Sequence, residues 1–480
     1  MPKFCRRDLL RLSGLAVGSL AVGGALSGCS SSEEAPPPKT ASTDYLAQQN
    51  SLLANLPPYY PGTESLARDE MRITFLGTTP IPMLSQAAVS VFVELGNGDC
   101  FVFDLGTGSI IKYWAMKINM DRIFKIFIAH LHADHMGDIP FVYGFGPSYG
   151  RLWPLYIWGP TRSGLTYHDP NGTQRGPYND GTADYCGMLE QLLVWHNESQ
   201  SFEPTSLKSY QSSVPVRFDT TGSTKYDAYD IVVKELPWQN SGTIVAGTPD
   251  NIAYNHNGVK ITHFPAVHTR QGSISYKLEW TRPSGEVLSM MYCGDTLPSQ
   301  YVIDQAKPGV DVLIHEMVVP ASVWVTKMGM SPTAVAVNQA QQVQDSSHTP
   351  QLAFGYVLQQ IVEQGGIAPR LAVGTHFQAT DDLISAALAD IGYWYRQGDV
   401  TVASDTMVLN VTKAGIRIRR GVVSSHQWPI TNPPDPKDMN VPKYWMSDPS
   451  TGLPTGAPQA QLDPVALANY VIPSSKYSKS

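Results

Sequence analysis

His130-Leu131-His132-Ala133-Asp134-His135 is the stretch on which the reading of this sequence turns. Three imidazoles and a carboxylate fall within six residues, directly after the apolar, β-rich run 123–129. That run reads as a buried strand. Imidazole nitrogen and carboxylate oxygen are ligands for zinc, manganese or iron. On a tight loop leaving a strand, alternate residues point to one side, so His130 and His132 can share one metal. Asp134 and His135 lie on the next turn and can reach a second. The bland alternative is a solvated histidine-rich loop, which a chain with 12 His in 480 residues rarely concentrates in this way.

The flanking sequence supplies the frame. Residues 71–76 read as a first strand. Residues 89–95 and 100–105 flank Gly96-Asn97-Gly98, a strong hairpin signal. A further strand at 155–158 ends at Gly159-Pro160. Strands resume at 259–264, 274–280, 287–292 and 310–314. Thr349-Pro350 predicts an N-cap with proline at the first helical position, and a helix to about residue 364. Late strands fall at 371–373 and 406–411. Residues 161–255 are polar and rich in Tyr, Asn, Gly and Ser, and read as a large insertion. Residues 425–480 hold ten prolines and read as a Pro-rich C-terminal tail. Strands interleaved with helices indicate an α/β protein, and nothing in the pattern specifies a parallel doubly wound sheet.

Composition bounds the function. Lys+Arg 34 against Asp+Glu 41 gives a formal net charge of −7, so the chain is not a basic nucleic-acid binder. With 42% hydrophobic and 16% charged residues, it is too apolar for a disordered chain and too polar for a polytopic membrane protein. Five Cys exclude a disulfide-dense scaffold.

Residues 1–28 read as an export leader. Arg6-Arg7 precede Leu9-Leu10 and a short, Gly-diluted apolar run to Leu26, which suits a signal segment better than a membrane span. The arginine pair resembles a twin-arginine signal, although Cys5 and Asp8 depart from the favoured pattern. Leu26-Ser27-Gly28-Cys29 resembles a lipobox, which implies a periplasmic or cell-surface lipoprotein anchored in the membrane through Cys29. Residues 29–69, with Pro36-Pro37-Pro38 near their start, read as a tether.

The motif at 130–135 resembles that of the metallo-β-lactamase-fold hydrolases. So do Ile73-Thr74-Phe75-Leu76-Gly77-Thr78 and Phe103-Asp104-Leu105-Gly106. Within that superfamily the chain is most similar to the branch of ribonuclease Z-type phosphodiesterases and arylsulfatase-type enzymes. It looks closer still to bacterial hydrolases of guanitoxin biosynthesis. The resemblance covers about residues 70–415, within a catalytic domain drawn at 70–424. It implies a four-layer αββα sandwich with the metal ligands on loops at one edge.

The resemblance also implies more ligands. His268 ends a strand in Ile261-Thr262-His263-Phe264-Pro265-Ala266-Val267-His268, with His263 as its rival. Asp295 follows a strand in Tyr292-Cys293-Gly294-Asp295-Thr296, and Gly294 would permit close backbone approach. His376 follows a late strand in Val373-Gly374-Thr375-His376-Phe377. The implied site holds two divalent ions, zinc by default with manganese or iron as alternatives. His130, His132 and His268 would bind one; Asp134, His135 and His376 the other; Asp295 would bridge them. Two such cations can hold a bridging hydroxide as nucleophile and stabilise charge on a phosphoryl or sulfuryl group.

Asp311-Val312-Leu313-Ile314-His315-Glu316 and Ser347-His348-Thr349-Pro350 resemble features of the ribonuclease Z branch. Carried over, His348 would be the general acid that protonates the departing oxygen, and Glu316 would orient it or tune its pKa. His348, Glu316 and Asp134 are thus the candidate catalytic residues. The resemblance places His348 at a helix start; as isolated residues, His348 would be an N-terminal helix cap and Glu316 a buried backbone partner, while His315 is expected to face away.

The acidic balance, the export leader and an insertion that is not strongly basic argue against transfer RNA as a partner. They favour a small-molecule ester, and the resemblance allows a homodimer. Tyr167, Tyr178, Tyr185, Trp195 and Tyr210 of the insertion could roof the site, and Arg270 could bind an anionic group. The leading reading is a hydrolase of phosphodiester, phosphate-ester or sulfate-ester bonds. The alternatives are a lactone- or amide-type hydrolase, a small-molecule biosynthetic enzyme, and a metal-stabilised surface protein without activity.

Overall fold

The computed structural model describes residues 56–151, 154–193, 203–204, 230–238, 251–269, 272–426 and 428, with short strands at 439–440, 446–447 and 454–455. The expected leader with Cys29, the expected tether as far as residue 55, Trp195, His196, Tyr210, Arg270 and most of the residues after 425 lie outside the described residues. Among the described residues no helix is long and apolar enough to cross a membrane.

Two mixed sheets form the centre. The first has nine strands among the described residues, in the spatial order Pro58–Tyr59, Ile416–Gly421, Met407–Val411, Met71–Gly77, Ser90–Leu95, Cys100–Phe103, Lys125–Phe127, Leu155–Pro160 and Ile231–Leu236. The second has seven, in the order Ile252–His256, Val259–Pro265, Ile274–Thr281, Val287–Tyr292, Val312–Glu316, Leu371–Thr375 and Asp399–Val402.

The two-residue period of a strand explains why both faces of the second sheet are covered. Val312 and Ile314 enter the large core shared with the first sheet. Leu313, between them, enters a separate core with Phe354 and Leu358 of the helix Gln351–Glu363 and Ile391 of the helix Asp381–Trp394. Leu371, Ala372 and Val373 alternate in the same way. The first sheet carries the helices Ser109–Ala115, Ile139–Phe145 and Thr182–Leu193 through Ile110, Tyr113, Val142 and Leu189. The result is helix, sheet, sheet, helix: the four-layer αββα sandwich.

Aromatic rings fill the space between the sheets. Phe127 stacks on Trp158 with centroids 4.4 Å apart and planes 4° from parallel. Tyr276 meets Phe127 edge-on at 5.5 Å. Hydrogen bonds stitch the sheets as well, since the Trp158 indole donates to Ala253 O at 2.9 Å and the Tyr276 hydroxyl to Ile128 O at 2.7 Å.

Some elements differ from their sequence reading. The buried run 123–129 holds a strand only at Lys125–Phe127. The polar stretch 161–255 contributes to both sheets: Ile231–Leu236 pairs in parallel with Leu155–Pro160, and Ile252–His256 opens the second sheet. Short apolar runs between long polar loops conceal such strands. At the end of the tether, Pro58–Tyr59 pairs with Arg420 and Gly421, and Tyr59 is buried against Arg72. The helix Ala334–Ser347 went unread because its sequence is polar and buries only Gln344 and Ser347. The helix after it is capped by Pro350 rather than Thr349.

Strand direction then decides where the loops gather. Val287–Tyr292, Val312–Glu316 and Leu371–Thr375 are parallel neighbours, with Tyr292 opposite Ile314 and Ile314 opposite Val373. Val259–Pro265 runs the same way, two antiparallel steps from Val287–Tyr292. Cys100–Phe103 and Lys125–Phe127 are parallel in the first sheet, with Phe103 opposite Phe127. The two sheets join at this edge through Ile274 N donating to Ala129 O at 3.0 Å.

Trp158 and Trp280 are the largest fully buried side chains among the described residues; Trp158 stacks on Phe127 within the first sheet and couples the two sheets through its hydrogen bond to Ala253 O and its edge contact with Tyr254. Trp158→Ala is expected to cost about 3–5 kcal/mol in unfolding free energy, read as a lower urea midpoint.

Candidate metal centre

At the edge where the strands end, seven side chains from four separate segments meet. His130 Nε2 lies 2.9 Å from His132 Nδ1, and His132 Nδ1 lies 3.3 Å from His268 Nε2. Next to them, His135 Nε2 is 3.2 Å from Asp295 Oδ1 and 3.4 Å from Asp134 Oδ2. His376 Nε2 is 3.3 Å from both Asp134 Oδ2 and Asp295 Oδ2. Asp295 Oδ2 is also 3.9 Å from His130 Nε2 and 3.8 Å from His268 Nε2, so this carboxylate stands between two clusters.

The donor set fits divalent cations. Three ring nitrogens converge in one cluster; two carboxylates and two ring nitrogens converge in the other. Within each, the ligand atoms lie within 4.8 Å of one another. His135 Nε2 and Asp295 Oδ1 are fully buried without a hydrogen-bond partner, although they face each other. Buried polar atoms left in that state are costly, and a cation between them relieves the cost. A nitrogen and oxygen set of this kind suits zinc, manganese or iron.

The protein fixes the tautomers that metal binding requires. His268 Nδ1 donates to Ser347 O at 2.7 Å, which leaves Nε2 as a lone-pair donor. His135 Nδ1 is 2.6 Å from Asp104 Oδ2, so its Nε2 points into the cluster in the same role. Burial lowers the pKa of His130, with His135 adding to the effect, and lowers that of His268 to about 4. Both are therefore neutral near pH 7, the form that binds metal. Burial opposes the charge on Asp134, but His135 and His376 outweigh it and hold the carboxyl below its ordinary range.

Asp104 is the residue whose part sequence reasoning missed. Fully buried, it accepts from Ala129 N at 2.7 Å and from the Tyr292 hydroxyl at 2.5 Å, besides holding His135. Its backbone sits at φ +54°, a left-handed conformation that a non-glycine residue adopts only when its surroundings impose it. The signal was the carboxylate directly after a strand in Phe103-Asp104-Leu105-Gly106. Gly106 matters too, because a Cβ there would lie 2.1 Å from Asp134 O. Gly294 permits close approach as expected, but to the histidine loop: it has φ +58°, and a Cβ would lie 2.6 Å from the Ala129 methyl.

His348 and Glu316 border the second cluster. His348 Nδ1 is 2.8 Å from Glu316 Oε2, and Glu316 Oε1 also accepts from Thr296 N, next to Asp295. Burial disfavours the charged imidazole, but Glu316 and then Asp295 outweigh it and push the His348 pKa up to about 9. His348 forms the C-cap of the helix Ala334–Ser347, not the start of the next one. Asp295, Glu316, His348 and His376 form a third grouping of donor atoms within 4.8 Å, so the pair is continuous with the cluster.

The remaining candidates fall elsewhere. His263 is buried in its strand, with ring nitrogens 3.2 Å from Asn251 O and 3.0 Å from Pro237 O. His315 faces the outer layer and stacks on Phe354 at 5.2 Å. Cys293 is buried in the outer core, and burial pushes its thiol pKa up. Tyr167 and Tyr178 are exposed and stack on each other at 6.4 Å, while Tyr185 packs against the large core.

No family model matches the chain. A ribonuclease Z of Methanosarcina mazei is 36% identical over 263 residues, spanning 51% of this chain and 74% of that protein. A ribonuclease Z of Bacteroides thetaiotaomicron is 25% identical over 295 residues, spanning 60% of this chain and 84% of that protein. Among solved structures, the metallo-β-lactamase fold protein YhfI of Bacillus subtilis matches with a TM-score of 0.42 and 15% identity, over 72% of this chain and all of that one. The short form of human tRNase Z matches with a TM-score of 0.43 and 17% identity, over 70% of this chain and 98% of that one.

These relatives correct one expectation. The acidic balance, the expected export leader and the insertion argue against transfer RNA as a partner, but the relatives are ribonucleases Z, which conflicts with that expectation. The exclusion does not stand. Its physical weakness is that net charge summed over a chain does not report the potential along one groove.

Asp104→Asn keeps the volume and removes the carboxylate from His135. It is expected to weaken zinc binding about 10–100-fold in competition with a chromophoric chelator. A variant that binds zinc like the wild type would rule out this role for Asp104.

Proposed function

This chain belongs to the ribonuclease Z family, and we propose that it is a phosphodiesterase that works with two divalent cations. The observation that carries the reading is the His348–Glu316 pair, 2.8 Å apart and continuous with the cluster of Asp134, His135, Asp295 and His376. Bound in the two clusters, the cations would supply Lewis acidity toward a phosphoryl oxygen and a nucleophile drawn from water at neutral pH.

The rest belongs to the chain. Glu316 holds His348 through Nδ1, which leaves Nε2 as the nitrogen that gives a proton to the departing oxygen. Glu316 is buried, whereas the His348 side chain keeps 19% of its surface exposed, so the acid faces the solvent side of the cluster. Asp134, half-buried, and Asp295, buried, set the carboxylates on either side of His376. This division suits an ester whose leaving group is an alkoxide, because a poor leaving group needs a proton as its bond breaks. The family name brings RNA phosphodiesters into the substrate range.

The test compares two leaving groups. The purified protein is expected to hydrolyse bis(4-nitrophenyl) phosphate, to lose that activity to a chelator, and to regain it with zinc or manganese. On RNA, whose leaving group is an alkoxide, His348→Ala should lower kcat by about 10²–10⁴-fold. On the nitrophenyl ester the loss should be much smaller, because nitrophenolate departs without a proton. Equal losses on both substrates would remove His348 from the acid role. A metal-loaded protein inactive on both, yet active on a sulfate ester or a lactone, would overturn the phosphodiesterase reading.

A further inference from the structure

Gln86 binds no ligand atom, yet its buried side chain spans two loops at the rim of the metal centre. It lies in the connection between Met71–Gly77 and Ser90–Leu95 and is 3% exposed. Its Nε2 donates to Thr78 Oγ1 at 2.8 Å and to Phe377 O at 3.0 Å. Its Oε1 accepts from Ala379 N at 2.9 Å. The amide thus meets a backbone acceptor and a backbone donor on the segment that directly follows His376. Phe377 N in turn donates to Thr78 O at 2.8 Å. The near side is anchored as well: Thr78 Oγ1 donates to Asp405 Oδ1 at 2.8 Å, and Ala87 N to Asp405 Oδ2 at 2.7 Å.

His376 needs such a hold. Its φ is +57°, in the left-handed region that a non-glycine residue occupies only under constraint. On its N-terminal side the constraint is the strand Leu371–Thr375. On its C-terminal side it is the backbone of Phe377 and Ala379, where the Gln86 amide sits. A hydrophobic side chain would fill the same space without a bond, whereas the amide both donates to and accepts from that segment.

We propose that Gln86 is a positioning residue for the metal centre: by fixing residues 377–379 it sets the left-handed turn that aims His376 Nε2 between Asp134 and Asp295. The proposal rests on the two-cation reading, and it places the effect of Gln86 on one ion only, the one that His376 would hold. None of the hydrogen bonds of this clamp named above involves His130, His132 or His268.

Zinc titration of the full protein against a chromophoric chelator tests it, with wild type, Gln86→Ala and Gln86→Glu compared. Gln86→Glu keeps the volume and the acceptor for Ala379 N but loses both donated bonds. Wild type should take up two ions per chain. In both variants one ion should bind as in wild type and the other about 10–100-fold more weakly. At saturating zinc, kcat should recover while KM stays close to wild type. The thermal midpoint of the metal-free protein should fall in both variants, because buried partners lose their hydrogen bonds, and the rise on adding zinc should shrink. Unchanged affinity for both ions would overturn the proposal. So would equal weakening of both ions, which marks a general loss of structure. If Gln86→Ala does not fold, Gln86→Glu alone decides. Fewer than two ions on the wild type would overturn the two-cation reading, and the proposal with it.

Discussion

The hydrogen bond between the buried Asp104 carboxylate and His135 ties the two halves of this structure together. Asp104 ends a strand of the first sheet, and the Tyr292 hydroxyl that also reaches it comes from the second. One carboxylate therefore joins both sheets to the loop that carries four of the seven clustered donors. Without such partners, five imidazoles and two carboxylates at the edge of an apolar core would oppose folding, since each costs free energy when desolvated. The protein meets that cost with a single hydrogen-bonded layer behind the donors: Asp104 behind His135, Ser347 O behind His268, Glu316 behind His348. Each partner also selects the ring nitrogen that faces inward.

The sheets and the loops divide the work. Parallel strands deliver Asp295, Glu316 and His376 to one edge because their registers are locked by backbone pairing and by side chains that alternate between two cores. The strands alone do not aim the side chains. Asp104 and His376, both just past a strand end, take left-handed backbone conformations, and both are held by networks that span sequence separations of tens to hundreds of residues. Strain of this kind persists only where the surroundings over-determine it.

This division explains how much was legible in the sequence. The histidine motif and the strands announce themselves locally, through residue type next to a β-rich run; the later ligands and the His348–Glu316 pair were legible only through the family resemblance, since each alone reads as structural. Asp104 was visible only as one carboxylate after a strand; its role depends on Tyr292, 188 residues away. Gln86 gave no local signal at all, because its partners at 377–379 are 291 and more residues distant. Ile231–Leu236 was hidden among polar loops, and its place in the first sheet is set by pairing with Leu155–Pro160. Periodicity reports which face of an element is buried; it carries no information about which distant element does the burying.

The same reasoning shows why a net charge of −7 was a poor guide to substrate. Without cations, Asp134, Asp295 and Glu316 gather three carboxylates about the cluster, which by themselves offer nothing to attract a phosphodiester. A bound cation is the largest local charge in such a site and reverses its sign over a few ångströms. Attraction of an anionic ester is then a property of the loaded clusters and not of the chain as a whole. Screening at physiological ionic strength works over about 8 Å, which leaves the sum over the remaining surface little say in what binds there. An acidic protein and a polyanionic substrate are compatible once the charge that meets the substrate is carried by the ions.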